Sequence, residues 1–347
     1  MLASRRVTVS ESIDVLFEQA YEWGWTDGLP IIPPTEERVM AFVKYVGREP
    51  EEVVAEIPPG FGVATIEKLA INAVMAGCRP EYFPVLLAAV EAIMEPEFNL
   101  NGIQCTTNPA APLLIINGPI RDQLGINSNA NALGQGCRAN ATIGRALRLV
   151  LLNVGGAIPG TVDKATLGQP GKFTFCLGEN EEENPWEPLH NERGFSRDQS
   201  AVTVVGAAGT NNVIVHGQNA RSILTVIANS MNSMGCNNIV VPDAGEPLII
   251  LCPHHASVFS QAGLSKADVK RIIWEEARIP LDLFPRGQQK AQLAADRVLD
   301  GKVLLCYKPD DLMVIVAGGS GGLHTTTCPT FADTRAVTKS IHVPGNR

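Results

Sequence analysis

Apolar positions follow two rhythms along this chain, and each predicts a different element. Helix-like segments, with apolar positions spread among polar ones, run over residues 10–23, 83–94, 139–153, 221–231, 256–262, 265–277 and 289–299, and predict helices there. Between them stand short runs that are apolar throughout: Pro112-Leu-Leu-Ile-Ile-Asn-Gly118, Pro247-Leu-Ile-Ile-Leu-Cys-Pro253 and Asp311-Leu-Met-Val-Ile-Val-Ala317. Such runs read as strands covered on both faces, near 112–117, 247–252 and 311–317. Their alternation with helices predicts an α/β fold, a mixed sheet with flanking helices built from pseudo-repeated strand-helix units. Residues 1–60 read differently, as a helical and Pro-rich segment packing on the main α/β domain of 61–347. Three prolines and Gly28 interrupt Thr26-Asp-Gly-Leu-Pro-Ile-Ile-Pro-Pro-Thr35 and forbid a regular helix there.

Composition adds limits to that picture. With 45% hydrophobic and 18% charged residues, the chain has material for a large core and does not read as disordered. Its 28 basic against 36 acidic residues leave a net charge of -8, and no basic cluster suits a nucleic-acid partner. The longest apolar runs, such as 85–90 and 111–116, fall far short of the ~20 residues that span a bilayer, and residues 1–6 lead into polar sequence rather than a signal-peptide core. A cytoplasmic protein without membrane contact is expected. None of the eight cysteines forms a C-x-x-C pair, which argues for reduced, mostly buried thiols. The low charge fraction suggests apolar surface shared between subunits, in a homo-oligomer or with a different chain.

Ligands in α/β sheets bind beyond the carboxyl ends of strands, so the candidate chemistry is sought there. Those positions hold Asn117-Gly118-Pro119, then Cys252-Pro253-His254-His255, then Gly318-Gly-Ser-Gly-Gly-Leu-His324; only six histidines exist in the chain. Cys252, His255 and His324 are the candidate catalytic groups. A thiol at a helix N-terminus beside an imidazole is expected to be stabilised as thiolate. Gly318, Gly319 and Ser320 can bend backbone N–H groups toward a ligand. Asn117, Arg138 and Arg145 complete the candidate substrate grip, the arginines lying along a helix whose N-terminus favours anions. The run Glu179-Asn-Glu-Glu-Glu-Asn184 followed by Trp186 and His190 offers an alternative, a transition metal held by His190 and Glu182. No H-E-x-x-H, Walker or EF-hand signature is present.

Several strings occur together: Thr26-Asp-Gly-Leu-Pro30 with Pro33-Pro34-Thr35, Ala70-Ile-Asn-Ala-Val-Met-Ala-Gly-Cys78, Glu179-Asn-Glu-Glu with Pro185-Trp186, Ser265-Lys-Ala-Asp-Val269, Ala277-Arg-Ile-Pro280 and Ala317-Gly-Gly319. In these the chain resembles a poorly characterised bacterial family found fused to, or beside, a small module with the UGSC motif, a selenocysteine or cysteine followed by Gly-Ser-Cys. No Cys-Gly-Ser-Cys string exists here, so the resemblance implies a separate small partner carrying that thiol or selenol. It also implies a histidine at position 255 and one shortly after the Gly-Gly turn, near His324. Residues and resemblance together suggest an enzyme for a small polar or anionic metabolite using thiol-linked, redox or C–heteroatom bond chemistry. A metal-dependent lyase or hydrolase, or a non-catalytic subunit of a UGSC-type complex, are the alternatives.

Overall fold

The computed structural model describes residues 2–10, 12–216 and 219–345. In chain order its strands are β1 (Val53–Ile57), β2 (Gly62–Thr65), β3 (Ala111–Asn117), β4 (Cys176–Gly178), β5 (Ala201–Ala207), β6 (Asn211–Ile214), β7 (Leu248–Leu251), β8 (Arg278–Pro280), β9 (Val298–Leu299), β10 (Lys302–Leu304), β11 (Met313–Val316), β12 (His324–Cys328) and β13 (Val337–Ser340). Two four-stranded mixed sheets organise the α/β molecule, one ordered β13-β5-β3-β4 and the other β11-β7-β12-β6. Read from the outer antiparallel strand, both have the same senses: two antiparallel pairings, then one parallel pairing, β3 with β4 and β7 with β11.

The three apolar runs become strands because they are covered on both faces. Leu113 and Ile115 of β3 pack against Leu248 and Ile250 of β7 and Met313 and Ile315 of β11, so the two sheets lie face to face. On the far side of the first sheet, Leu114, Ile116, Val202 and Val204 meet the helices Glu36–Val46, Ile66–Ala76, Phe83–Ile93 and Arg138–Asn153. Ile249, Leu251, Val314 and Val316 of the second sheet meet the helices Ala220–Met231, Pro253–Gln261 and Lys266–Glu276. The result is four layers, helix, sheet, sheet, helix. Ala20, Ile31, Val39, Phe42 and Ile57 share the core of the first helical layer, so the N-terminal region and the first sheet's helices form one continuous core.

Six of the seven expected helices appear within a few residues of their predicted bounds. The segment expected over 289–299 is the exception. That helix runs Arg286–Ala294, and Asp296 at φ 54 and Asp300 at φ 51 turn the chain into β9 and β10 instead. The three apolar runs also take unlike positions, β7 and β11 side by side in one sheet and β3 in the other. Among the described residues no helix is long and apolar enough to cross a membrane.

Candidate functional site

The carboxyl ends of β3, β4, β7 and β11 come together at one end of the sandwich. The Asn180 N–H, just past β4, donates to the Val316 carbonyl at the end of β11 (2.7 Å), and the Gly318 N–H donates to Ser128 O (2.9 Å). From β7, the Cys252 thiol donates to Gly322 O at 3.3 Å. The three loops singled out in the sequence are therefore contiguous. They hold two distinct clusters of chemistry, one on each sheet.

The second sheet carries Cys252, His255 and His324. Cys252 is the N-cap of the Pro253–Gln261 helix, where Pro at N1 suits the missing N–H. His255, one turn into that helix, is fully buried. Its Nδ1 is 2.8 Å from Thr325 Oγ1 on β12, while its buried Nε2 makes no well-formed hydrogen bond and the Val215 backbone, interacting with the ring, resists the fall of its pKa. Burial pushes the imidazole below its ordinary value, and the nearby His254 and His324 rings push it the same way, so at neutral pH it is uncharged. His324 opens β12, exposed, with Nδ1 3.1 Å from Asn212 Oδ1 on β6.

The thiolate expected at Cys252 is not what burial favours. Desolvation raises the thiol, and the N–H groups of His255, His324 and His254, which pull it down, do not cancel that rise. Cys252 rests as a neutral thiol surrounded by donors suited to its anion. Gly318, at φ 102, and Gly319, whose Cβ position would lie 2.9 Å from Ala130 Cβ, let the loop bend against 128–130. Ser320 is exposed at the turn.

The first sheet carries a buried polar centre of different character. Asn117, fully buried, donates through Nδ2 to Glu179 Oε2 (2.7 Å) and Glu181 Oε1 (3.0 Å), and its Oδ1 is unpartnered. The Gly118 N–H donates to Glu181 Oε1 at 2.7 Å. Arg121 lies 3.1 Å from Glu181, donates to both oxygens of Glu182 (2.8 and 3.2 Å), and donates to Glu179 O (2.8 Å). Burial raises the Glu179 carboxyl, against the pull of Lys266, while Arg121 holds Glu182 low. His190 is fully buried, and burial lowers its pKa against the pull of Glu181 and of the Arg197 and Ser196 backbone. Glu182 is thus engaged with Arg121, and among the described residues no three His, Cys, Asp or Glu side chains gather as a metal-holding group.

The two candidate arginines are held by partners of the first helical layer. Arg138 donates through Nε and Nη2 to Gly77 O (3.1 and 2.9 Å). Arg145 makes a bidentate pair with Asp27 (2.9 and 2.7 Å) and also donates to Leu29 O. Arg145 ties the first helical layer together, whereas Arg138 also lines an open pocket with Asn127, Ala130 and Gln135, beside the segment that meets the 318–319 loop. Arg121 and Thr325 were not candidates in the sequence, and Glu179 and Glu181 stood there only within the acidic run offered to a metal. Only the pairing of β12 with β7 shows that Thr325 reaches His255. Comparison with models of known protein families finds no match, and comparison with curated proteins finds none.

Proposed function

We propose that this chain is an enzyme acting on a small polar or anionic metabolite, with His255 and Cys252 as the reacting groups and the 318–322 loop receiving the substrate. The observation that carries this reading is His255: a buried, uncharged ring, oriented through Nδ1 by Thr325, with Nε2 making no well-formed hydrogen bond. Such a nitrogen is available to move a proton. Cys252 supplies a thiol that becomes a nucleophile when a base removes its proton, and the surrounding N–H groups favour the resulting anion. The backbone at Gly318, Gly319 and Ser320 offers close approach to an anionic group. His324, exposed at the start of β12, is the second proton carrier in this reading.

The resemblance adds a small, separate UGSC-type subunit that would bring a second thiol or selenol to the exposed side of these histidines. The test is incubation with a polar-metabolite extract, read by mass spectrometry, for the wild type, His255→Gln and Cys252→Ser. Consumption of a small anionic metabolite by the wild type, lost in both variants with the melting temperature kept, is expected. Equal consumption by the variants overturns the assignment. A wild type that consumes nothing, alone or with its partner, points to a non-catalytic subunit.

A further inference from the structure

The helix Arg138–Asn153 starts without a cap. Cys137 at its N-cap turns its thiol to Gly125 O (3.2 Å), and the first turn carries no acidic residue. The N–H groups of Arg138, Ala139 and Asn140 therefore have no acceptor among the described residues. This helix start opens into a pocket of about 650 Å³, with Arg138 and Ala139 in its wall and no carboxylate in its lining. Tyr82 lines the same pocket, 4% exposed, and its hydroxyl has no hydrogen-bond partner among the described residues. Burial raises its pKa, so the phenol keeps its proton; Arg79, Arg138 and the Cys137 thiol also act on it, which places the hydroxyl beside the helix start. Arg138 spends Nε and Nη2 on Gly77 O, and neither it nor Arg79 has a carboxylate within ion-pair distance among the described residues.

An uncapped helix start presents its N–H groups together with the positive end of the helix dipole. Here a guanidinium and a phenol join them, so donors of three kinds face one pocket that supplies no anion of its own. A planar carboxylate takes bonds on two oxygens, whereas a phosphate group takes them on three, from more directions. We infer that this pocket holds the phosphate group of a small phosphorylated metabolite, with Tyr82, Arg138 and the free N–H groups of the helix as its donors. The pocket is formed in advance. Asn140 accepts from the Asn127 N–H (2.8 Å) and donates to Asn127 O and Ala132 O (2.9 and 3.2 Å), which ties the 127–132 loop to the helix. It also adjoins the glycine loop, because Ala130 lies in its lining and is the residue against which Gly319 packs. The inference rests on the reading of Cys252 and His255 only in taking the metabolite to be their substrate; phosphate binding itself needs no turnover.

Inorganic phosphate is the probe, titrated into the protein by calorimetry at neutral pH and constant ionic strength, with acetate as the carboxylate control. The wild type should bind phosphate saturably, with a Kd of about 1 mM or below, and acetate at least about tenfold more weakly. Tyr82→Phe removes a hydroxyl that has no partner in the fold, so it should keep the melting temperature and weaken phosphate about tenfold. Arg138→Gln should weaken it by at least as much. Cys252→Ser should bind phosphate as the wild type does, and a wild type that consumes no metabolite yet binds phosphate strikes the reaction and leaves the site standing. No saturable binding up to about 20 mM phosphate, acetate bound as tightly as phosphate, or Tyr82→Phe binding phosphate like the wild type overturns the inference.

Discussion

Replacing Arg121 with methionine separates structure from catalysis at the end of the first sheet. The arginine side chain is 4% exposed and lies 3.1 Å from Glu181, itself 7% exposed. Methionine keeps much of the volume but leaves the Glu181 carboxylate buried with only the Gly118 N–H and the Asn117 amide. Breaking a buried ion pair from one side costs about 3–5 kcal/mol, because the remaining charge is left uncompensated. The bond to Glu182 adds little, since that carboxylate is 60% exposed and screened. An unfolding entropy of about 2.1 cal/mol/K per residue gives roughly 0.7 kcal/mol/K for the 347 residues, so the melting temperature should fall by about 4–7 °C. Calorimetry and urea unfolding of Arg121→Met, Glu181→Gln and the double variant complete the cycle. The double variant has no unpaired charge there and should be more stable than Arg121→Met by at least ~1.5 kcal/mol. A loss below ~1 kcal/mol for Arg121→Met, or strictly additive effects, would refute the claim that this pair holds the loop ends.

Three further outcomes are expected. Gly118→Ala should lower the urea midpoint by the equivalent of ~2 kcal/mol or more, because φ is 82 and the added Cβ would lie 2.2 Å from Gln199 O. His255 and His190 both have folded pKa values lowered below the ordinary value, so the unfolded chain binds more protons as the pH drops through about 6.5. Stability should therefore decline as pH falls from there toward the folded pKa values, and His255→Gln should flatten that decline; an unchanged slope argues against a buried, neutral His255. Trp186→Phe removes the Nε1 bond to Leu264 O (3.1 Å), which ties the loop of the first sheet to the helices of the second, and should cost about 1 kcal/mol by urea unfolding.

The layers were legible where burial is symmetric. β3, β7 and β11 are apolar at nearly every position because one face meets the other sheet and one meets helices, and that pattern survives in the sequence without any context. β12 was not legible. His-Thr-Thr-Thr-Cys reads as a polar turn, yet Thr325 and Thr327 are buried because β12 lies between β7 and β6. Cys252, His255 and the glycine loop could be found from strand ends alone, since the rule that places ligands there is topological. Their protonation could not, because the rise of the Cys252 thiol depends on how deeply the helix start is covered. Arg138 and Arg145 show the same gap. Helical spacing says which arginines share a face, but only the folded chain shows that Gly77 and Asp27 already hold them.

The edges of the two sheets are exchanged. After β5 the chain leaves the first sheet to lay β6 on the rim of the second, and after β12 it returns to lay β13 against β5. On the ribosome, β5 therefore waits with one side open from Ala207 until Ser340 has been made, 133 residues later. At about 5–20 residues per second, that is roughly 7–27 s during which a bare strand, apolar but for Thr203, is available to neighbouring chains. Yield in the cell should then depend on translation speed and chaperone supply, although the finished protein has that edge covered.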